Sequence, residues 1–257
     1  MSTDHFGAYL PPARDALADK VVLITGASRG LGRALSAACA AHGAQILVLG
    51  RDVRRLEALA DEIEAAGHHP PVIIPMNLEG ATVDDYAAIA ALIQERYGRL
   101  DGLLLNAAAL GEMSPLENYD PVLWARVFQV NVHSQFLLLR HCLPLLRASG
   151  RASIVFVASS VGRHGRAYWG AYAVSKFANE GLMQTLADEL GPASGVRVNS
   201  LNPRAMRTRM RANAYPAEDP TALPEPQAVA PYFVYLLSEA ATALHGLALD
   251  VPQVADP

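Results

Sequence analysis

Tyr172 and Lys176 stand four apart in Ala171-Tyr172-Ala173-Val174-Ser175-Lys176, a spacing that puts both on one face of a helix. A phenol ordinarily titrates near pH ~10, too high to part with a proton readily at neutrality. A neighbouring ammonium favours the phenolate and moves the hydroxyl toward a useful range. The pair therefore suits a general acid for carbonyl reduction or a general base for alcohol oxidation. Ser159 and Ser160 close an apolar run upstream, where a hydroxyl can hydrogen-bond a substrate oxygen and stabilise developing charge. Each feature alone is ordinary, since such Tyr–Lys pairs are usually surface contacts and such serines usually form turns.

A second constellation lies near the start of the chain, in Thr25-Gly26-Ala27-Ser28-Arg29-Gly30-Leu31-Gly32. Gly26 suits a tight turn, and Gly30 lets backbone N–H groups approach a pyrophosphate without an intervening Cβ. Gly32 allows a helix to pack closely on a sheet, while that helix's N-terminus adds partial positive charge. Ser28 and Leu31 belong to the same phosphate-facing turn. Glycines alone prove little, but here they follow the first strand of an alternating pattern. The second strand ends Leu49-Gly50-Arg51, where an NAD site would place a carboxylate on the ribose 2′-hydroxyl. A small residue followed by Arg51, with Arg29 in the glycine turn, suits a 2′-phosphate instead, so NADP(H) is favoured over NAD(H). Both arginines are equally compatible with a solvated surface, and Asp52 is available to pair with Arg51.

These residues need a scaffold, and the patterning supplies one. Flat apolar runs at Val21–Thr25, Ile46–Leu49, Val72–Pro75, Gly102–Leu105, Ser153–Ala158, Val196–Leu201 and, less clearly, Ala243–Val251 read as strands covered on both faces. Between them Leu31–Ala41, Val53–Ala66, Ala81–Tyr97, Pro121–Ala148 and Tyr172–Leu190 repeat at three- and four-residue steps and read as helices. Gly43, Gly67, Gly98 and Gly191 follow such segments, as helix ends prefer. Strand–helix alternation implies an α/β fold, a doubly wound parallel sheet of about seven strands with helices on both faces. We expect one domain over 20–257, an N-terminal arm over 1–19 and a Pro-rich irregular excursion over 204–227 that serves as a substrate lid.

The composition agrees. The chain has 257 residues, 51% hydrophobic and 18% charged, enough apolar material for one large core and too much for disorder. A net charge of -4 leaves no global basic field for nucleic acid or anionic lipid. Cys39 and Cys142 read as reduced and buried rather than as a disulfide or metal site, and no spacing suggests a metal. Residues 1–19 lack the basic head and apolar run of a signal peptide, and no uninterrupted apolar stretch could span a bilayer. A cytoplasmic location is the expectation.

Together the Thr25–Gly32 turn and the Tyr172–Lys176 segment resemble the short-chain dehydrogenase/reductase superfamily, over about Lys20 to Asp250. The stretch from Ser159-Ser160-Val161-Gly162-Arg163 to Trp169-Gly170-Ala171-Tyr172, with Asn202-Pro203 and Glu218-Asp219-Pro220, is most similar to the bacterial YciK-type oxidoreductases. The resemblance implies a Rossmann-type fold and hydride transfer between a nicotinamide cofactor and a carbonyl or secondary alcohol. It selects Ser159 over Ser160, because the family places its serine thirteen residues before the tyrosine. It gives Lys176 the nicotinamide ribose, and matches Asn131 to an asparagine supporting a water relay to the lysine. A kinked helix or an interface is the alternative account of Asn131, and the relay is favoured. Asn77 and Leu78 match the adenine contact, Asn106 and Ala107 the turn beside the adenine ribose, and Pro203 and Thr208 the segment bordering the nicotinamide. The resemblance further implies a homodimer or homotetramer built on the two longest helices.

Three positions depart from the family pattern. Ala108 and Arg204 replace glycines, and Asn77 replaces aspartate. Arg204 has three available roles: narrowing the site, binding an anionic substrate group or pointing outward. Arg204, Arg207, Arg209 and Arg211 form a basic run that either recognises an acidic substrate or is a solvated face touching cofactor phosphate; the second is favoured. The leading expectation is an NADP(H)-dependent oxidoreductase acting on a small carbonyl or alcohol, with no nucleic acid or membrane partner. The alternative is a nucleotide-binding regulatory or scaffold protein of the same fold with little turnover.

Overall fold

The computed structural model describes residue 9 and residues 11–252. Nearly half of the expected N-terminal arm, residues 1–8 and 10, lies outside them, as do residues 253–257. The rest of that arm packs on the body. Leu17 is fully buried and its N–H donates to the His42 carbonyl, and Tyr9 stacks on Tyr232.

Seven strands form one wholly parallel sheet: β1 (Val21–Thr25), β2 (Gln45–Gly50), β3 (Val72–Pro75), β4 (Gly102–Leu105), β5 (Ala152–Val157), β6 (Val196–Asn202) and β7 (Ala248–Asp250). Their order is β3-β2-β1-β4-β5-β6-β7, so the winding reverses between β1 and β4. That reversal opens a crevice at the carboxyl ends of the strands, where ligands bind in such sheets. The strand sequences look flat because both faces are buried. Val22 and Ile24 join one core and Val21 and Leu23 the other, as do Ile46 and Val48 against Leu47 and Leu49.

Helices α1 (Gly30–Ala41), α2 (Val53–Ala65) and α3 (Val83–Tyr97) link the first four strands. Next come α4 (Pro121–Phe128), α5 (Ser134–Ser149), α6 (Gly170–Leu190), α7 (Arg209–Ala214) and α8 (Ala230–Leu237). Helices α1, α2 and α8 cover one face, and α3, α5 and α6 the other.

Three differences from expectation have physical causes. The single helix expected over Pro121–Ala148 is interrupted by a π-helical turn at Gln129–His133, centred on buried Asn131. Helix α8 was not foreseen because Ala230–Leu237 is apolar on every side, which leaves no periodicity to detect. Buried Arg197 holds its C-terminal end, donating to the carbonyls of Leu236, Ser238 and Ala241 at 2.8, 2.9 and 2.9 Å. The excursion expected to be irregular over 204–227 contains α7, capped by the Thr208 side chain.

Candidate active site

Strand β5 delivers Ser159 to the crevice, and a short 3-10 turn at Ser160–Gly162 leads the chain toward α6. Tyr172 lies in the first turn of α6, only 8% exposed, with the Ser159 hydroxyl near enough to favour its phenolate. One turn further on, the Lys176 Nζ stands 5.7 Å from the centre of the Tyr172 ring. It donates to the Val157 carbonyl oxygen at 2.7 Å. The three side chains are thus brought together as the spacing implied.

Their electrostatics differ from expectation. Burial pushes the Tyr172 phenol up to about 12, and the nearby Ser159 hydroxyl opposes it only in part. The expected lowering by the neighbouring ammonium does not prevail, because desolvation of the phenol itself is the largest effect on it. Burial brings Lys176 down to about 8, with the Glu180 charge acting in the opposite direction.

Asn131 is completely engaged by protein. Its Oδ1 accepts from the Ala109 N–H at 2.7 Å, and its Nδ2 donates to the Ala109 carbonyl and the Ser175 Oγ, both at 2.9 Å. It therefore ties the segment after β4 to α6. Ser175 and its bond to the Tyr172 carbonyl were not singled out in the sequence, since a serine within a helix carries no distinguishing signal.

At the glycine turn, Gly26 and Gly30 have φ of 68° and 52°, in the left-handed region. Gly32 is required for space: a Cβ there would lie 2.2 Å from the Gly26 carbonyl oxygen. Helix α1 begins after Arg29 with no side-chain cap and no acidic residue in its first turn, so its leading N–H groups suit an anion. Ser28 and Leu31 are buried in this turn. Asn106 braces it, donating from Nδ2 to the Thr25 and Gly26 carbonyls at 2.8 and 3.3 Å, and the Ala107 N–H donates to Thr25 Oγ1 at 3.0 Å. Those contacts make Asn106 a brace of the turn.

Arg29 sits within a group of like charges, its guanidinium acidified by burial and by Arg55, Arg209 and Arg51. Arg51 is exposed and pairs with Glu79 at 3.2 Å, whereas Asp52 pairs with Arg55 at 3.0 Å. Such an accumulation of cations suits a phosphate. Arg55 and Arg209 escaped sequence reasoning because their distance from Arg29 depends on how α2 and α7 pack. On the rim, Leu78 is buried, while exposed Asn77 accepts from the Glu79 N–H at 3.3 Å.

Beyond β6, Pro203 is buried and Thr208 faces the glycine turn. Arg204 has φ of 62°, so the glycine it replaces served a left-handed backbone. Its Nε donates to the Val251 carbonyl, which directs the guanidinium toward the C-terminal segment. Arg207 donates to the Pro220 carbonyl and pairs with Glu225, and Arg211 grips Glu218 through two contacts of 2.6 Å. The basic run therefore largely holds the lid segment together. Met210, Ala214 and Tyr215 from this segment pack on Trp169 and Tyr172, giving the site an apolar, aromatic cover.

Residues 20–219 match the short chain dehydrogenase family. The chain is similar to the oxidoreductase YciK of Escherichia coli K12, being 43% identical over 240 residues, which cover 93% of this chain and 94% of that one. It is also similar to the solved structure of a short chain dehydrogenase from Pseudomonas syringae, with a TM-score of 0.91 at 49% identity over 93% and 97% of the two chains. Another, from Escherichia coli CFT073 and complexed with NADPH, has a TM-score of 0.90 at 43% identity over 93% and 99%. Among the described residues no helix is long and apolar enough to cross a membrane.

Proposed function

This chain belongs to the short-chain dehydrogenase family, and on that premise we propose that it is an NADP(H)-dependent oxidoreductase that interconverts a carbonyl compound and a secondary alcohol. The observation that carries this reading is the convergence of Ser159, buried Tyr172 and Lys176, whose Nζ stands 5.7 Å from the centre of the tyrosine ring.

The glycine turn, the uncapped start of α1 and the arginines around Arg29 fit a dinucleotide with a 2′-phosphate. Arg29 and Arg51 clamp that phosphate, Arg51 exchanging Glu79 for it. Asn77 and Leu78 flank the adenine, and Asn106 and Ala107 the adenosine ribose. Pro203 and Thr208 border the nicotinamide. The similarity to a protein solved with NADPH supports the same choice.

NADPH, when bound, supplies the hydride to the carbonyl carbon. Ser159 donates a hydrogen bond to the substrate oxygen, where negative charge develops. Tyr172 delivers its hydroxyl proton to that oxygen and, in the reverse direction, takes it from the alcohol. A phenol raised to about 12 by burial keeps its proton until the oxygen becomes basic enough to accept it. Lys176 binds the nicotinamide ribose and stabilises the phenolate left behind. Asn131 supports the relay to Lys176 through its turn of backbone, its side chain being engaged with Ala109 and Ser175. The 204–227 segment is the substrate lid of a single 20–257 domain.

Val122, Phe136, Val174 and Phe177, exposed on α4, α5 and α6, support a homodimer or homotetramer through these helices. We place the protein in the cytoplasm. The regulatory alternative draws on Arg204 and Ala108; Arg204 donates to the Val251 carbonyl, which directs it toward the C-terminal segment, while Ala108 packs against the cluster that contains Trp169 and Tyr172.

Steady-state turnover of wild type and Tyr172→Phe with NADPH and NADH, across ketones, diketones and quinones, tests the proposal. Turnover preferring NADPH and falling by about a hundredfold or more in the variant is expected. NADPH binding with no turnover would favour the regulatory reading, and binding of neither cofactor would overturn both.

A further inference from the structure

Behind Lys176, away from the crevice, the surroundings are polar and buried. One turn along α6, Glu180 is only 7% exposed. The Ser200 hydroxyl on β6 lies 2.9 Å from each of its carboxylate oxygens. Arg163, just past the turn that follows Ser159, reaches Glu180 Oε1 at 3.4 Å. The same arginine donates to Asp250 Oδ2 at 2.6 Å, and Asp250 accepts from Asn202 where β6 leads into the lid segment.

A buried carboxylate needs pairing, and Arg163 provides it only in part. Its shorter contact is to Asp250, leaving Glu180 with the longer one and one hydroxyl. The other cation near Glu180 is Lys176, four residues earlier on the same helix face. Lys176 is 2% exposed and donates to a single carbonyl, that of Val157. Among the described residues no carboxylate lies within ion-pair distance of Lys176, so its charge is supported across a helical turn.

We infer that Glu180 is a positioning residue that acts through Lys176, its buried carboxylate one turn behind the lysine on α6 helping to keep the ammonium charged beside Tyr172. The titratable groups beside the lysine are Tyr172 and Glu180 on α6, Arg163 reaches this cluster through Glu180, and β5 presents the Val157 carbonyl. Gly162 presses directly on it: a Cβ there would lie 2.7 Å from that of Lys176. Burial drives the ammonium toward neutrality and the Glu180 charge opposes that drive. Because Arg163 also binds Asp250, the network joins the lysine to the root of the lid segment. The inference rests on the proposed role of Lys176, but its test does not require turnover.

Lys20 and Lys176 are the only lysines in the chain, so the full protein labelled with carbon-13 lysine gives two ε-carbon signals. Lys176→Met assigns them. On titration, Glu180→Gln is expected to lower the Lys176 midpoint by about one pH unit relative to wild type, with Lys20 unmoved. Glu180→Asp, which retains the charge, should stay nearer to wild type. An unchanged midpoint would overturn the inference. So would a rise, because a loosened, wetter site relieves burial and moves the lysine upward. If Glu180→Gln does not fold, Arg163→Met with and without Glu180→Gln makes the same comparison with no unpaired cation left behind. A fall in midpoint alongside a wild type without turnover would sustain this inference while removing the proposed activity.

Discussion

Nη1 of Arg166 donates to the Tyr215 phenol oxygen at 2.6 Å, joining the loop before α6 to the end of α7. The Arg211 guanidinium lies 3.8 Å over the ring of the same tyrosine, whose side is tilted against Trp169. Through Tyr215 the 204–227 segment is fastened over buried Tyr172. In the lid role proposed for this segment, a substrate parts these contacts to reach Ser159.

Tyr215→Phe removes the hydroxyl while retaining the ring. A partly exposed hydrogen bond contributes about 1 kcal/mol, so opening of the segment should become roughly fivefold more populated. Limited proteolysis within 204–227 should accelerate by that factor, with little change in melting temperature. Equal cleavage rates would mean that the Arg166 contact does not hold the lid.

Lys176→Met should abolish most turnover without destabilising the protein at pH 7. Burial lowers the lysine from 10.5 to about 8, so folding below that value requires holding a buried charge against an unfolded state that carries it freely. The corresponding cost is about 3 kcal/mol, which exceeds the loss of one hydrogen bond to Val157. The sign is set by the unfolded state binding more protons between about 8 and 10.5, so wild-type stability rises with pH across that window. Melting curves from pH 7.5 to about 10 should show this rise in wild type and not in the variant. Parallel curves would contradict the assignment.

Gly50→Asp tests the cofactor choice. A Cβ at Gly50 would meet Leu56 and Ser28 side chains at 3.6 Å, ordinary contact, so the backbone accepts the change. The new carboxylate would repel a 2′-phosphate and accept from a ribose 2′-hydroxyl. The ratio of NADPH to NADH affinity should fall by roughly a hundredfold, whereas Arg29→Gln should weaken NADPH by about tenfold and leave NADH unchanged. A variant that still prefers NADPH would mean the phosphate lies elsewhere.

Arg204→Gly relieves a left-handed arginine, worth about 1 kcal/mol, and forfeits a hydrogen bond to Val251 of similar size. Melting temperature and turnover should both remain close to wild type, within about twofold for kcat/KM. A tenfold loss of kcat/KM would show that Arg204 reaches the substrate.

Much of this architecture was legible because its signals are local. Val21–Thr25 and Gly102–Leu105 have the bounds expected of them, since flat apolar runs between turns leave few alternatives. Helix α8 was not legible, since Ala230–Leu237 is apolar all round and held at its end by Arg197 from a distant strand. The break at Gln129–His133 was hidden as well, because an extra residue in a helical turn leaves the surrounding periodicity nearly intact.

Resemblance to the family pointed to Ser159; the sequence by itself determined the parallel sheet, the glycine turn and the Tyr172–Lys176 pair. Each follows from residue types a few positions apart, or from the ends of neighbouring strands, where backbone geometry leaves little choice. Tertiary structure alone decided where long side chains go: Arg204 to Val251, Arg207 and Arg211 into their own segment, Asn131 to Ala109 and Ser175. It also decided the sign of the Tyr172 shift, because burial of the phenol outweighed the opposing effect of the nearby Ser159 hydroxyl. A guanidinium's direction and a phenol's solvation are set by atoms distant in sequence, and only folding brings those atoms within reach.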